Sequence, residues 1–464
     1  MESLARDAAL VLEHAAPVGG NSDGDEFVPA LLSGGNSRIA VDRITGTNPY
    51  LCPPLPAPEL ICFASCTASP IGQRSFRRAA ETFRHIADAA SQRLRARRIA
   101  EHAAAIAASL LRHFEASGLA EAILCPSGTD ALLTAALMVA AERPGQRMTA
   151  ILPCAAETGT HVPLAVACRR FDGPDCGVAL SEDVVGSVEI PLRTAAGEPR
   201  SEDELNGAYA AAAATAAGRP IIYLTHGTKT GLIAPAALLD RIDVIVDACQ
   251  ARIEPATVAA YLRRGWPVVV TGSKFFGGPA FSGAVLFPTA RLAASRHRPL
   301  PDECVNLGTV LRWTAALDVI EAFEPMAAGM ALLLHDTAAA VQRLLASVPA
   351  LAPVEGLRPR GPGWADLPSI FTFGVRDPQE PLHRLSATAL RPLYQRLARA
   401  GVLLGQPVDL GPFGGLRIAL GARDLVERPH DGGWSRLSSV LETALAAPSW
   451  RQEQLVAPVA EPTA

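Results

Sequence analysis

Lys274 stands among small and hydroxyl-bearing residues in TGSKFFGGP, directly behind the apolar run WPVVV. An amine placed there can attack a carbonyl carbon and afterwards carry a proton. Upstream, Asp247 and Gln250 bound DACQ, which follows a second apolar run, IDVIV. A carboxylate buried at a strand end is costly unless something in the same site answers its charge. Earlier still, PSGTDALL opens a helix expected from about Thr129 to about Arg143, with Pro144 and Gly145 as stop signals. Its Ser-Gly-Thr start offers free amides and the positive end of a helix dipole to an anion. Gly128 lets backbone approach closely, the Ser127 and Thr129 hydroxyls can donate, and Thr271 and Ser273 add two more from the lysine loop.

An amine for a Schiff base, a carboxylate for a ring nitrogen and a cradle for a phosphate are together what pyridoxal 5'-phosphate (PLP) requires. In that reading Lys274 holds the cofactor and, once displaced by substrate, shuttles a proton at the substrate's alpha carbon, while Asp247 keeps the pyridine nitrogen protonated.

On these residues the chain resembles fold type I PLP-dependent enzymes, in the branch of class V aminotransferases and cysteine desulfurases. There a strand-end Asp is followed three positions later by Gln and about two dozen later by Lys, as Asp247, Gln250 and Lys274 are here. The likeness runs over roughly residues 90 to 425 and is strongest from 120 to 290. It implies an α/β fold with a large doubly wound, mostly parallel sheet domain and a small C-terminal α/β domain. It also implies that Gln250 meets the ring's phenolic oxygen, with Thr228 of THGTKTGLIAP nearby. In ETGTHVPLA, His161 or Thr160 takes the place that stacks on the pyridine ring, and Thr309 of NLGTVLRWTAALDVIEAF reaches the phosphate of a neighbouring subunit, which implies a homodimer. Arg417 in GGLRIALGARDL stands where the branch binds the alpha-carboxylate of an amino-acid substrate, a task that suits a guanidinium fork. Asn48 and Tyr50 in GTNPYLCPPLP are candidates for an N-terminal substrate lid.

A cysteine desulfurase needs a mobile nucleophilic cysteine in its C-terminal third. The last cysteine here is Cys304, and GVLLGQPVDLG, where one desulfurase group carries the nucleophile, has none. The expected activity is therefore transamination, with elimination or replacement at the beta or gamma carbon, decarboxylation and carbon–carbon bond formation as the alternatives.

The elements around these motifs follow from length and pattern. At 464 residues, 49% hydrophobic and 19% charged, the chain is long enough for one large and one smaller globular domain. A net charge of −4 gives no signal for nucleic acid, the start MESLARDAALVLEH is not a signal peptide, and no apolar stretch reaches the roughly 18 residues of a membrane span. A cytoplasmic enzyme with neither nucleic acid nor membrane as partner is expected. Nine scattered cysteines without a CxxC pair argue for reduced thiols and against a metal site.

Residues 1–90 read as an N-terminal arm and helical segment, 91–325 as a large PLP-binding domain, 326–450 as a small C-terminal domain and 451–464 as a flexible tail. One long helix is expected from about Gln73 to His113, and a second behind the Ser201/Glu204 capping box. ILC, TAILP, RPIIYLT, IDVIVDA, WPVVVTG and GAVLF read as strands alternating with helices, and SIFTFGV and LRIAL as strands of the small domain.

Overall fold

The computed structural model describes residues 23–35, 37–234, 242–295, 306–427 and 433–446. The irregular stretch expected before residue 23, the tail 451–464 and Cys304 lie outside the described residues. In chain order the strands are β1 (Ile61–Phe63), β2 (Ala120–Cys125), β3 (Met148–Pro153), β4 (Val184–Ile190), β5 (Arg219–Thr225), β6 (Asp243–Ala248), β7 (Val268–Thr271), β8 (Gly283–Pro288), β9 (Leu351–Pro353), β10 (Ile370–Val375), β11 (Val402–Asp409) and β12 (Gly414–Ala419).

Seven of them form one sheet in the order β2-β8-β7-β6-β5-β3-β4. Strands β3 to β7 pair in parallel, and β8 runs antiparallel to both β7 and β2. The central strands are apolar without a break because the sheet is covered on both faces. Val244, Val246, Val268 and Val270 pack into one core, and Ile245, Val269, Ile221 and Tyr223 pack into another. Successive residues therefore feed opposite layers, as the two-residue period of a strand demands.

The expected helix from Gln73 to His113 is two helices, Gln73–Ala87 and Gln92–His113. Ser91 makes the break, because its side chain accepts from the Leu94 amide and caps the second helix. The capping box holds as expected, with Ser201 and Glu204 satisfying each other's backbone at the start of Glu202–Thr215.

The second sheet has the order β1-β11-β12-β10-β9. Its first strand comes from the segment expected as an N-terminal arm, and Ile61 to Phe63 pair in parallel with Val402 to Leu404. GVLLGQPVDLG, expected as a desulfurase-like loop position, is strand β11, with Pro407 inside a register shift between Gly405 and Val408. A proline there removes no ladder hydrogen bond. Arg417 pairs with Thr372 on one side and Gly405 on the other, so it stands mid-sheet. Among the described residues no helix is long and apolar enough to cross a membrane.

Candidate active site

The carboxyl ends of β2, β3, β5, β6 and β7 open on one cavity of about 180 Å³. It is lined by Ser127, Gly128, Thr129, Thr160, His161, Asp247, Gln250, Thr271, Ser273 and Lys274 from the large sheet's loops, and by Tyr50 and Arg417 from elsewhere in the chain. Parallel strands place their functional loops together at this edge.

Lys274 follows β7, is half-buried, and its amine makes no hydrogen bond or ion pair with the described residues. Asp247 is buried in the last turn of β6, where Oδ1 accepts from the Cys249 amide at 3.0 Å. The neighbouring Cys249 thiol is pushed well above its ordinary range by burial and then by the Asp247 charge, which keeps it neutral. Thus the cavity holds an amine and a carboxylate at adjacent strand ends with little of their bonding capacity used.

The helix Gly128–Ala140 points its N-terminus into the cavity. Ser127 is its cap: the hydroxyl accepts from the Asp130 amide and donates to Asp130 Oδ2 at 2.6 Å, so it is occupied within the helix. The amides of Gly128 and Thr129 have no acceptor a turn earlier in the helix. Gly128 is required by packing, since a Cβ there would lie 2.8 Å from Cys249 Sγ and 2.9 Å from Thr271 Cγ2. Thr271 donates to the Cys249 carbonyl at 2.6 Å, and the Thr129 and Ser273 hydroxyls have no hydrogen-bond partner among the described residues.

Arg417 is buried, and four of its five N–H donors are taken. Nε and Nη2 donate to the Gln406 carbonyl, Nη1 to the Lys229 carbonyl and Nη2 also to Thr67 Oγ1. All of these partners are neutral, so the guanidinium brings an unanswered positive charge to the cavity wall. His161 stacks against Phe171 with ring centroids 6.2 Å apart and also lines the cavity.

Three expected positions fall elsewhere. Thr228 is buried outside the cavity lining, donating to Glu157 Oε2 at 2.6 Å. Asn48 lies in a neighbouring cavity, where its Oδ1 accepts from the Tyr50 and Cys52 amides. Thr309 is 0% exposed, and its hydroxyl accepts from Arg312. Its turn is covered by residues 30–34, for a Cβ on Gly308 would lie 2.0 Å from the Ser33 carbonyl.

No protein-family model matches the chain, and no curated protein does. Solved structures do. An apo cysteine desulfurase from Thermococcus onnurineus superposes with a TM-score of 0.56 at 13% identity, over 84% of this chain and 96% of that one. A cysteine desulfurase from Escherichia coli gives 0.51 at 17% identity, over 84% and 95%. The glutamate decarboxylase domain of a diaminobutyrate-pyruvate transaminase and L-2,4-diaminobutyrate decarboxylase from Vibrio parahaemolyticus gives 0.54 at 14%, over 83% and 81%. The chain has the architecture of fold type I PLP-dependent enzymes.

The cavity's own chemistry suits PLP. Gln250 donates through Nε2 to the Cys66 carbonyl while its Oε1 is buried without a partner, and Thr225 Oγ1 beside it is likewise buried and unpaired. Unsatisfied groups of this kind cost about 1–3 kcal/mol each. A polar ring bound there would offset that cost.

Other wall residues carry no signal in single-sequence reading. Glu157 is 2% exposed and forms a 2.7 Å ion pair with buried Arg193, and its second oxygen accepts from Thr228 and Thr230. Lys229 joins the wall with Nζ donating to the Ala155 carbonyl, and Gln406 joins it from β11. Glu157 stands in the quoted ETGTH motif, but Arg193, its counter-charge, lies in a separate strand-loop segment with no motif of its own.

Proposed function

We propose that this chain is a PLP-dependent enzyme acting on amino acids and that it transfers their amino group. The observation that carries the reading is Lys274: an amine without a hydrogen bond among the described residues, lining one cavity with a buried carboxylate and a helix N-terminus. Bound PLP would supply an aldehyde for that amine and a ring that spreads negative charge from the substrate's alpha carbon.

The chain's residues then have separable tasks. The Gly128 and Thr129 amides, with the Thr129 and Ser273 hydroxyls, grip the phosphate. Asp247 holds a proton on the ring nitrogen, and Gln250 has one Nε2 hydrogen left for the phenolic oxygen. His161, backed by Phe171, bounds the ring's face. With PLP bound, the Lys274 amine would be the group placed to take the proton from the substrate's alpha carbon. Arg417 anchors the alpha-carboxylate, and a two-point grip displaces Thr67 Oγ1 from Nη2.

Transfer of the amino group is favoured over desulfuration by the thiols. The strand β11 carries no cysteine, Cys66 at the cavity wall is buried, and the Cys249 thiol is held neutral. In a test, the PLP-loaded protein is mixed with single amino acids and no amine acceptor. One equivalent of keto acid per site is expected, with the cofactor left in its amine form and restored by adding a keto acid. Continuous release of ammonia or carbon dioxide without an acceptor contradicts transamination and points to lyase chemistry in the same site.

A further inference from the structure

The grip proposed for the substrate comes from two sheets. The Lys274 amine belongs to the large sheet, whereas Arg417 stands mid-strand on β12 of the second. A carboxylate anchor serves only while it keeps its distance from the reacting amine, since a misplacement of about 1 Å can cost about a hundredfold in rate. One contact ties the anchor to the large sheet: Arg417 Nη1 donates to the Lys229 carbonyl at 2.9 Å, and Lys229 lies in the loop that follows β5.

That loop is clamped on both sides of Lys229 by a single carboxylate. The Thr228 and Thr230 hydroxyls donate to Glu157 Oε2 at 2.6 and 2.7 Å, and the Lys229 amide donates to the Glu157 carbonyl at 2.8 Å. Thr228 Oγ1 also accepts from the Thr230 and Leu232 amides, which closes the turn. The other oxygen, Glu157 Oε1, accepts from Arg193 Nε at 2.7 Å, while Arg193 Nη2 donates to Thr230 Oγ1 at 2.8 Å. Arg193 Nη1 donates to the Gly197 and Glu355 carbonyls, both at 3.0 Å. Glu355 follows β9 of the second sheet, so Arg193 crosses between the sheets as Arg417 does. Glu157, Arg193, Thr228 and Thr230 are all buried.

Glu157 also lines the cavity, where a bare carboxylate would repel the carboxylate of an amino acid. Arg193 answers its charge, so the pair adds little net field at the wall. What a carboxylate does there that a glutamine cannot is accept from three donors on two oxygens, because an amide offers only one accepting oxygen. We infer that Glu157 is a positioning residue: with Arg193 it fixes the Lys229 carbonyl, and through it the direction in which Arg417 meets the substrate's alpha-carboxylate. This inference rests on the PLP reading and on Arg417 as the anchor.

The test follows the absorption of the PLP-loaded full chain as amino acids, and the matching amines that lack the carboxylate, are added. Glu157→Gln is expected to bind the acids roughly tenfold more weakly, about the worth of one hydrogen bond to a charged group, and the amines as wild type does. Thr230→Val, which removes one arm of the clamp and keeps the ion pair, should show a smaller loss of the same selectivity. In an Arg417→Ala background Glu157→Gln should weaken the acids no further, since a residue acting through another then has nothing left to act on. Unchanged acid binding in both single variants overturns the inference, and so does an equal loss for acids and amines, or a full loss that persists without Arg417. Tighter acid binding in Glu157→Gln also overturns it, because Glu157 would then act on the substrate as a charge. Should Glu157→Gln not fold, Thr230→Val alone and in the Arg417→Ala background decides by the same comparisons. A wild type whose absorption responds to no amino acid overturns the PLP reading itself, and one that binds acids no better than amines overturns the Arg417 assignment; the inference falls with either.

Discussion

Arg417 is a cation in the middle of a sheet whose hydrogen-bond partners are two backbone carbonyls and one hydroxyl. Such a site favours an anion that can replace the weakest partner, and the Thr67 hydroxyl is that partner. Arg417→Ala is expected to weaken every ligand bearing an alpha-carboxylate by about tenfold to a hundredfold, the value of a charge-assisted pair, and to leave amines lacking a carboxylate unchanged. Arg417→Lys should recover only part, because an ammonium has no fork. Binding constants across matched acids and amines decide it, and unchanged acid binding in Arg417→Ala removes Arg417 from the substrate site. At this scale the residues that the sequence singles out and the structure brings to one cavity are those whose chemistry conflicts with their surroundings: Lys274 after an all-apolar strand, Asp247 at the end of another, and Gly128 at a helix mouth. Thr228, Thr309 and Asn48 lie outside the cavity lining, and a hydroxyl or amide has many acceptable partners. Their actual partners, Glu157, Arg312 and the backbone of Tyr50 and Cys52, depend on packing that a motif does not encode.

The loop that follows β5 and the helix Pro255–Arg263 meet through His226 and Tyr261, with Nδ1 3.1 Å from the Tyr261 hydroxyl and the rings edge to face. Burial, and secondarily the charge of Arg360, lowers the His226 imidazole to about 4 from its ordinary 6.5. The folded state thus keeps this ring neutral while the unfolded chain protonates it. Because the folded value is the lower one, the unfolded state binds more protons between the two values, and stability falls as pH drops from 6.5 toward 4. The loss from this residue is up to about 3 kcal/mol. In urea unfolding at pH 7 and pH 4.5, His226→Gln should show a smaller drop between the two conditions than wild type. An identical drop means that this contact does not set the acid sensitivity. The elements themselves were readable where they are buried and long, as β3, β5, β6, β7 and β8 are. The edge strand β4 was not, because VVGSVEI mixes Gly and Glu into a surface edge, and β11 was not, because Gln406 and Pro407 interrupt its pattern at the register shift.

For the whole molecule, the division into two sheets is visible in the change from unbroken apolar strands to shorter mixed ones after β8. The way the N-terminal segment ties the two together is not visible, since β1 has only three residues and its partner β11 lies at the far end of the chain. A three-residue strand has no period to read. The same stretch of chain covers the turn of Thr309 with Ala30 and Ser33, lines the cavity through Tyr50 and joins the second sheet at β1. The central claim is that this enclosure holds PLP on Lys274. The measurement that tests it most directly is borohydride reduction of the PLP-loaded protein, followed by mass analysis of its peptides. The account predicts one cofactor per chain, fixed to the peptide containing Lys274 and absent from Lys274→Ala. Labelling at Lys229, the other lysine of the cavity wall, or no stable label at all, would contradict it.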